Sequence, residues 1–159
     1  MFLLIAGFGW GKPVEINSRN FTREMSLSKA EAIVAAAGPI SNIILAFILI
    51  VISYALKLIP QFNGQIATII EIIITDAAII NIGLGIFNLI PLPPLDGSKI
   101  IMHFLPYNAK QWFYENEKIF YIIFLIIWIS GLSSTLLQPI FSAVYGGMNW
   151  LVFNIFNLF

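Results

Sequence analysis

Charged side chains are absent from long stretches of this chain, and those stretches set its architecture. From Ala32 to Leu56 about 25 residues pass without a charge, bounded by Glu31 and Lys57. A helix needs roughly 20 predominantly apolar residues to cross a bilayer, so this run predicts a first membrane span. Its entry, "AAAGPISN", puts Gly38 and Pro39 near the first turns, where proline is tolerated, and the small residues Ala35 to Ala37 allow close approach of another helix. A polar loop, "KLIPQFNGQ", leads to a second run from about Ile66 to Leu89. This run is long enough to cross but carries Glu71 and Asp76. Glu71 reads as an interfacial charge. Asp76 reads as a deeper carboxylate facing protein or water rather than lipid; a metal or proton-relay role is the alternative, and a carboxylate hydrogen-bonded to a neighbouring helix or water is preferred because no ligand motif surrounds it.

Pro91, Pro93 and Pro94 then remove three backbone donors and disfavour helix at the residues before them, which ends the second helix near Leu89 or Ile90. The chain there is expected to be extended. Non-helical backbone at membrane depth is tolerated only inside protein or beside water, so the segment should line a wet cavity. The following stretch, "GSKIIMHFLPYNAKQWFYENEK", reads as a solvent-side loop in which "SKIIMHFL" can restart a helix. Its Trp112 and Tyr114, like Trp128 and Trp150 further on, read as interfacial and packing aromatics. From Ile119 to Phe159 no charge occurs over about 41 residues, enough for two spans or for one span and an interfacial tail. Breaks at "SGLSS", "QP" and "GG" allow a hairpin.

The fold expected is an all-α membrane protein, a multipass bundle of three or four transmembrane helices with a proline-broken helix. Residues 1–159 form one transmembrane domain, with polar loops at 11–31 and 97–118. Within the first loop, "PVEIN" alternates like a short strand. Lys12, Arg19, Arg23 and Lys29 precede the first span and Lys99, Lys110 and Lys118 follow the second, whereas the loop between them has only Lys57. The positive-inside bias makes 11–31 and 97–118 cytoplasmic and locates the chain in the cell membrane.

Composition supports this reading. The chain is 59% hydrophobic and 10% charged, with mean hydropathy +0.91, more apolar surface than a soluble domain of this size buries. Eight basic and eight acidic residues cancel without a basic patch, so nothing points to nucleic acid. The absence of cysteine removes disulfides, zinc-thiolate sites and thiol nucleophiles. The N-terminus "MFLLIAGFGWGKP" has neither a basic leader nor a cleavage site, and its glycines lack the strand-to-helix setting of a phosphate loop.

The chemistry centres on "FNLIPLPPLDGSKI". An aspartate followed by glycine after prolines suits a surface turn that caps the next helix. Equally, Asp96 suits a cavity-lining carboxylate whose partner is water or a cation, and composition alone leaves both open. The string "NLIPLPPLDG" resembles the NxxPxPxLDG signature of the site-2 protease family of intramembrane zinc metalloproteases. "FGWGKPVEIN" is similar to the Gly-Trp-x-Lys-Pro-Val segment of its small bacterial members, and "AGPISN" to its Gly-Pro-x-x-Asn element. The resemblance implies zinc as cofactor, Asp96 as the metal's carboxylate ligand, and Asn88, Gly97, Gly38, Pro39 and Asn42 as active-site lining. It also implies transmembrane proteins or peptides as substrates within the lipid bilayer. Separately, a peptide bond must be extended to be cut, so an unwound substrate is expected to add as a strand in the non-helical region, against "PVEIN".

The family's HExxH, whose histidines bind zinc and whose glutamate is the general base, cannot be present, because the chain has one histidine. The expectation is therefore a member lacking its N-terminal part, with no catalytic base of its own and with HExxH supplied upstream or by a separate N-terminal chain. His103, seven residues after Asp96, lies about two helical turns away, too far to share an ion with it, and is expected to be packed or interfacial. The alternatives are a catalytically inactive pseudoprotease that binds membrane helices and, less favoured, a transporter fragment built around the broken helix.

Overall fold

The computed structural model describes residues 26–158. Among these the only regular elements are six helices: α1 Leu27–Lys57, α2 Gly64–Asn88, α3 Asp96–Phe104, α4 Tyr107–Glu115, α5 Glu117–Ile129 and α6 Leu132–Phe156. The segment "PVEIN" and residues 11–25 of the first polar loop lie outside the described residues.

Helices α1 and α2 are long and apolar enough to cross a membrane. At 1.5 Å per residue, the 31 residues of α1 reach about 46 Å and the 25 of α2 about 37 Å, against a hydrocarbon core of about 30 Å. Both keep wide apolar faces outward, including Ile40, Ile44, Ile72 and Ile80, as expected of a surface that meets lipid rather than water. Helices α5 and α6 meet at a bend of 81° and together count as a third candidate span. The total is thus two or three spanning helices, at the lower end of the expectation.

α1 starts earlier than its charge-free run suggests. Ser26 is the N-cap, its hydroxyl accepting from the Lys29 amide at 3.4 Å, a stabilising end signal even though charged residues follow it. The last residues of the 11–31 segment are therefore helical. Pro39 sits in the interior of α1 rather than in its first turns, where it leaves the carbonyl four residues earlier without its usual partner.

α1 and α2 form an antiparallel hairpin and pack closely because of Gly85. A Cβ there would lie 2.8 Å from Ile43 Cδ1 and 3.1 Å from the Pro39 carbonyl oxygen, so only glycine lets these backbones approach so far. The core continues through Ala46, Ile50, Ala78, Ile82 and Ile86 to Val152 of α6. Its two alanines are the small residues that permit this three-helix contact.

The 97–118 segment is mostly helical, not a loop. After Asp96–Phe104 the chain turns at Leu105–Pro106, whose extended backbone ends α3, and enters α4. Proline cannot continue a helix but is well placed just before a new one. Trp112 and Phe113 of α4 pack on Phe120 of α5, and Trp128 of α5 lies 5.0 Å from the Phe87 ring near the end of α2. Those aromatics are packing residues, as expected, while Trp150 is exposed.

Of the three breaks expected after Ile119, one forms. Gly131 adopts φ +73°, the left-handed region that glycine enters without steric cost, and the bend falls there. Pro139 and the Gly146–Gly147 pair lie inside α6 without interrupting it.

Candidate active site

α2 ends at Asn88, as the prolines require, and the carbonyls of Gly85, Ile86 and Phe87 receive N–H groups of the first residues beyond it. The segment from Leu89 to Leu95 is not extended as expected. It folds into successive tight turns, the Leu92 amide donating to the Ile90 carbonyl at 2.8 Å and the Leu95 amide to the Leu92 carbonyl at 2.9 Å. The Pro93–Pro94 bond is cis, the geometry of a type VI turn. The physical reason is donor supply: with three prolines in five residues, the few remaining N–H groups must be satisfied locally, and turns do this where an extended strand would need a partner.

Asp96 follows as the first residue of α3. Gly97 makes this possible: a Cβ there would collide with the carbonyls of Leu89 and Ile90. The start of α3 is thereby seated on the end of α2, with Leu95, Gly97 and Ser98 buried around a half-exposed Asp96. Ser98 Oγ donates back to the Leu95 carbonyl at 2.7 Å and tightens the corner.

Across from this corner is Gly38 of α1. A Cβ on Gly38 would sit 3.8 Å from Asp96 Oδ2, so the carboxylate faces bare helix backbone. Gly38 is six residues inside the charge-free run that begins at Ala32, about 9 Å along the helix axis. Asp96 therefore lies alongside the charge-free part of α1, past the last charged residue before that run, Glu31. From there α3 runs back along α1 toward its N-terminus, where His103 Nδ1 lies 3.3 Å from Ser28 Oγ.

The remaining expected site residues divide. Asn42 lies one turn beyond Gly38 on the same face of α1. Asn88 shares with Gly85 the side of α2 that meets α1, and its amide donates to the Leu84 carbonyl at 2.9 Å rather than to Asp96. Among the described residues no hydrogen bond joins either asparagine to Asp96. Lys99, which the sequence reading did not single out, places its Nζ 3.9 Å from Asp96 Oδ1. The i,i+3 spacing was the available signal. Both side chains are partly exposed, so the pair adds little stability.

A cavity of about 460 Å3 opens beside Asp96 between α1, α3 and α4. Ser28, Glu31, Lys99, Lys110 and Glu117 line it with Asp96, and Val34, Pro93, Met102 and Phe113 make most of its wall apolar, so charged groups are set into a largely apolar pocket. Among the described residues no three His, Cys, Asp or Glu side chains come together as a metal site. Asp96 is a suitable oxygen donor, but one carboxylate is short of the three protein ligands of a catalytic zinc. The only histidine in the chain is committed to Ser28 at the far end of α3. These residues alone do not fit a zinc ion.

The corner that carries Asp96 is the stretch whose sequence resembles the site-2 protease signature, and comparison with known proteins points to the same class, the intramembrane metalloproteases. A sequence profile of peptidase family M50 matches residues 57–131, a range that includes Asn88, the proline corner and Asp96. A Bacillus subtilis (strain 168) protein named "Putative zinc metalloprotease YwhC" is 35% identical over 148 residues. That alignment takes in 90% of this chain and 64% of the relative's length. Over these residues the chain is similar to peptidase family M50, the site-2 proteases, and it spans just under two thirds of the length of the curated relative it matches. No solved structure matches it.

Proposed function

We propose that this chain forms the carboxylate-bearing, substrate-lining part of a zinc-dependent intramembrane protease that cleaves transmembrane proteins or peptides. Asp96 is the metal's carboxylate ligand. Gly38, Pro39 and Asn42 on α1, with Asn88 and Gly97 around the corner, line the site. The two histidines and the general-base glutamate of HExxH come from polypeptide outside these 159 residues, either upstream or on a separate chain, and without them the chain cleaves nothing. It sits in the cell membrane as a multipass protein with 11–31 and 97–118 on the cytoplasmic side.

One observation carries this reading: the Asp96 carboxylate is held against Gly38, beside the charge-free part of α1, by a close seating of α3 on the end of α2 that only a glycine at position 97 allows. A surface turn would need no such seat. A second reading, a non-catalytic holder of membrane helices, draws support from the lone histidine and its engagement with Ser28.

The test is assembly with an HExxH-bearing segment of an M50 relative, followed by measurement of bound zinc and of cleavage of a transmembrane substrate. The proposal expects about one zinc per assembly. Asp96→Asn should lower zinc affinity by roughly 10- to 100-fold, the cost typical of a damaged metal environment, and abolish cleavage. Cleavage that survives Asp96→Asn would refute the ligand role, and an assembly that binds no zinc leaves the holder reading in its place.

A further inference from the structure

At the end of the bundle opposite Asp96, a second polar cavity lies between α1, α2 and α6. Its volume is about 200 Å3, and Ser53, Lys57, Thr75, Tyr145 and Asn149 line it together with Tyr54. The polar residues are paired by helical spacing. Ser53 and Lys57 are four apart on α1, and Tyr145 and Asn149 four apart on α6, so each pair shows one face to the same space. A gap in an apolar bundle is ordinarily lined by apolar side chains and stays dry, but here three spans each contribute polar groups to it.

Each of those groups can donate a hydrogen bond, and the hydroxyls and the amide can also accept one, but the only charge among them is the Lys57 ammonium. Ser53 is 8% exposed, and among the described residues neither its hydroxyl nor that of Thr75 has a hydrogen-bond partner. The Asn149 amide gives one N–H to the Tyr145 carbonyl at 2.9 Å and keeps a second. Lys57 lies 5.6 Å from the centre of the Tyr54 ring and, among the described residues, forms no ion pair. It is the only charged lining group. Donor-capable hydroxyl and amide groups beside a single exposed lysine at the end of α1, with no carboxylate among them, suit an anion rich in acceptor oxygens. A phosphoryl group fits that description and the volume.

We infer that this cavity binds a phosphoryl anion, with Lys57 as its countercharge and Ser53, Thr75 and Asn149 as its hydrogen-bond donors. An anionic phospholipid headgroup and free phosphate share this chemistry. The inference stands apart from any role of Asp96.

The experiment uses the 159-residue chain in nanodiscs of mixed phosphatidylglycerol and phosphatidylcholine, with lipid retention read by native mass spectrometry. Phosphatidylglycerol should be retained selectively. Lys57→Gln should lower its retention on the order of tenfold, the effect of one charge-assisted contact. Thr75→Val, a near-isosteric change that leaves the helix intact, should lower it less, and Lys118→Gln at the other end should leave it unchanged. Excess inorganic phosphate separates the two sources: displacement of the lipid identifies a free-phosphate site, and failure to displace identifies a headgroup site. Equal retention of both lipids by the unaltered chain, or a loss with Lys118→Gln as large as with Lys57→Gln, would overturn the inference.

Discussion

Gly38 and Asp96 face each other across the junction of α1 and α3, with 3.8 Å between the carboxylate Oδ2 and the position a Cβ on Gly38 would take. That separation is ordinary van der Waals contact, so a methyl group fits and a larger side chain does not. Gly38→Ala should keep both fold and cleavage in the completed enzyme. Gly38→Leu should keep the helical content, because leucine is a good helix former, while lowering kcat/KM at least about tenfold by covering the carboxylate. Circular dichroism beside cleavage assays checks both halves.

Gly97 has no such latitude. The Cβ of an alanine there meets backbone carbonyls of Leu89 and Ile90, which cannot rotate aside as a side chain can. Overpacking of this kind costs about 1–3 kcal/mol, more than the gain of roughly 1 kcal/mol from replacing glycine in a helix. Gly97→Ala should therefore be destabilised in detergent unfolding. A melting temperature equal to or above that of the unaltered chain would mean that the corner is not seated as described.

Gly85 poses the same question with a softer neighbour. Its added Cβ would press on the Ile43 side chain at 2.8 Å and on the Pro39 carbonyl at 3.1 Å. Gly85→Ala should destabilise the α1–α2 hairpin by about 1–3 kcal/mol. In a chain that already carries Ile43→Ala the same change should cost less, because both Ile43 atoms that the added Cβ would meet, Cγ1 and Cδ1, are gone. A double-mutant cycle on thermal unfolding measures the coupling.

How much of this was legible beforehand follows from where the controlling forces lie. The end of α1 at Lys57 and that of α2 at the prolines after Asn88 are set by local chemistry and were legible, whereas the charge-free run puts the start of α1 five residues late because the Ser26 cap, not the charge at Glu31, sets it. The fold class followed from the apolar runs, and Asp96 from its string of neighbours. The helices within 97–118 were hidden because lysines and glutamates mark solvent without marking conformation. The turns at Pro91–Leu95 were misread as extended because proline excludes helix but does not choose between strand and turn; the supply of free N–H groups chose. The bend at Gly131 could not be told from Gly146–Gly147 or Pro139, since all three are local breakers and packing of Phe87 on Trp128 acts only near the first. The facing of Asp96 by Gly38 joins residues far apart in the chain, which no local pattern reports.

The Ser28 hydroxyl offers a last test, at the other end of α3 from Asp96. It meets His103 Nδ1 at 3.3 Å and accepts from Lys110 Nζ at 3.4 Å, so one side chain of α1 ties down both α3 and α4. α3 has nine residues, too few to be stable as an isolated helix, and its N-terminal end is already fixed by Gly97. Removing the second tether should leave the Asp96 corner in place and loosen the His103 end. Ser28→Ala should cost about 1 kcal/mol, the net worth of a partly exposed hydrogen bond. Hydrogen exchange should rise at Met102–Leu105 while that of α2 stays unchanged. Exchange that rises equally through α2 would show that the hydroxyl supports the whole hairpin instead. His103→Gln restores a hydrogen-bonding group at a similar reach and should return most of the protection to a His103→Ala chain, which identifies the contact, rather than the volume of the ring, as the tether.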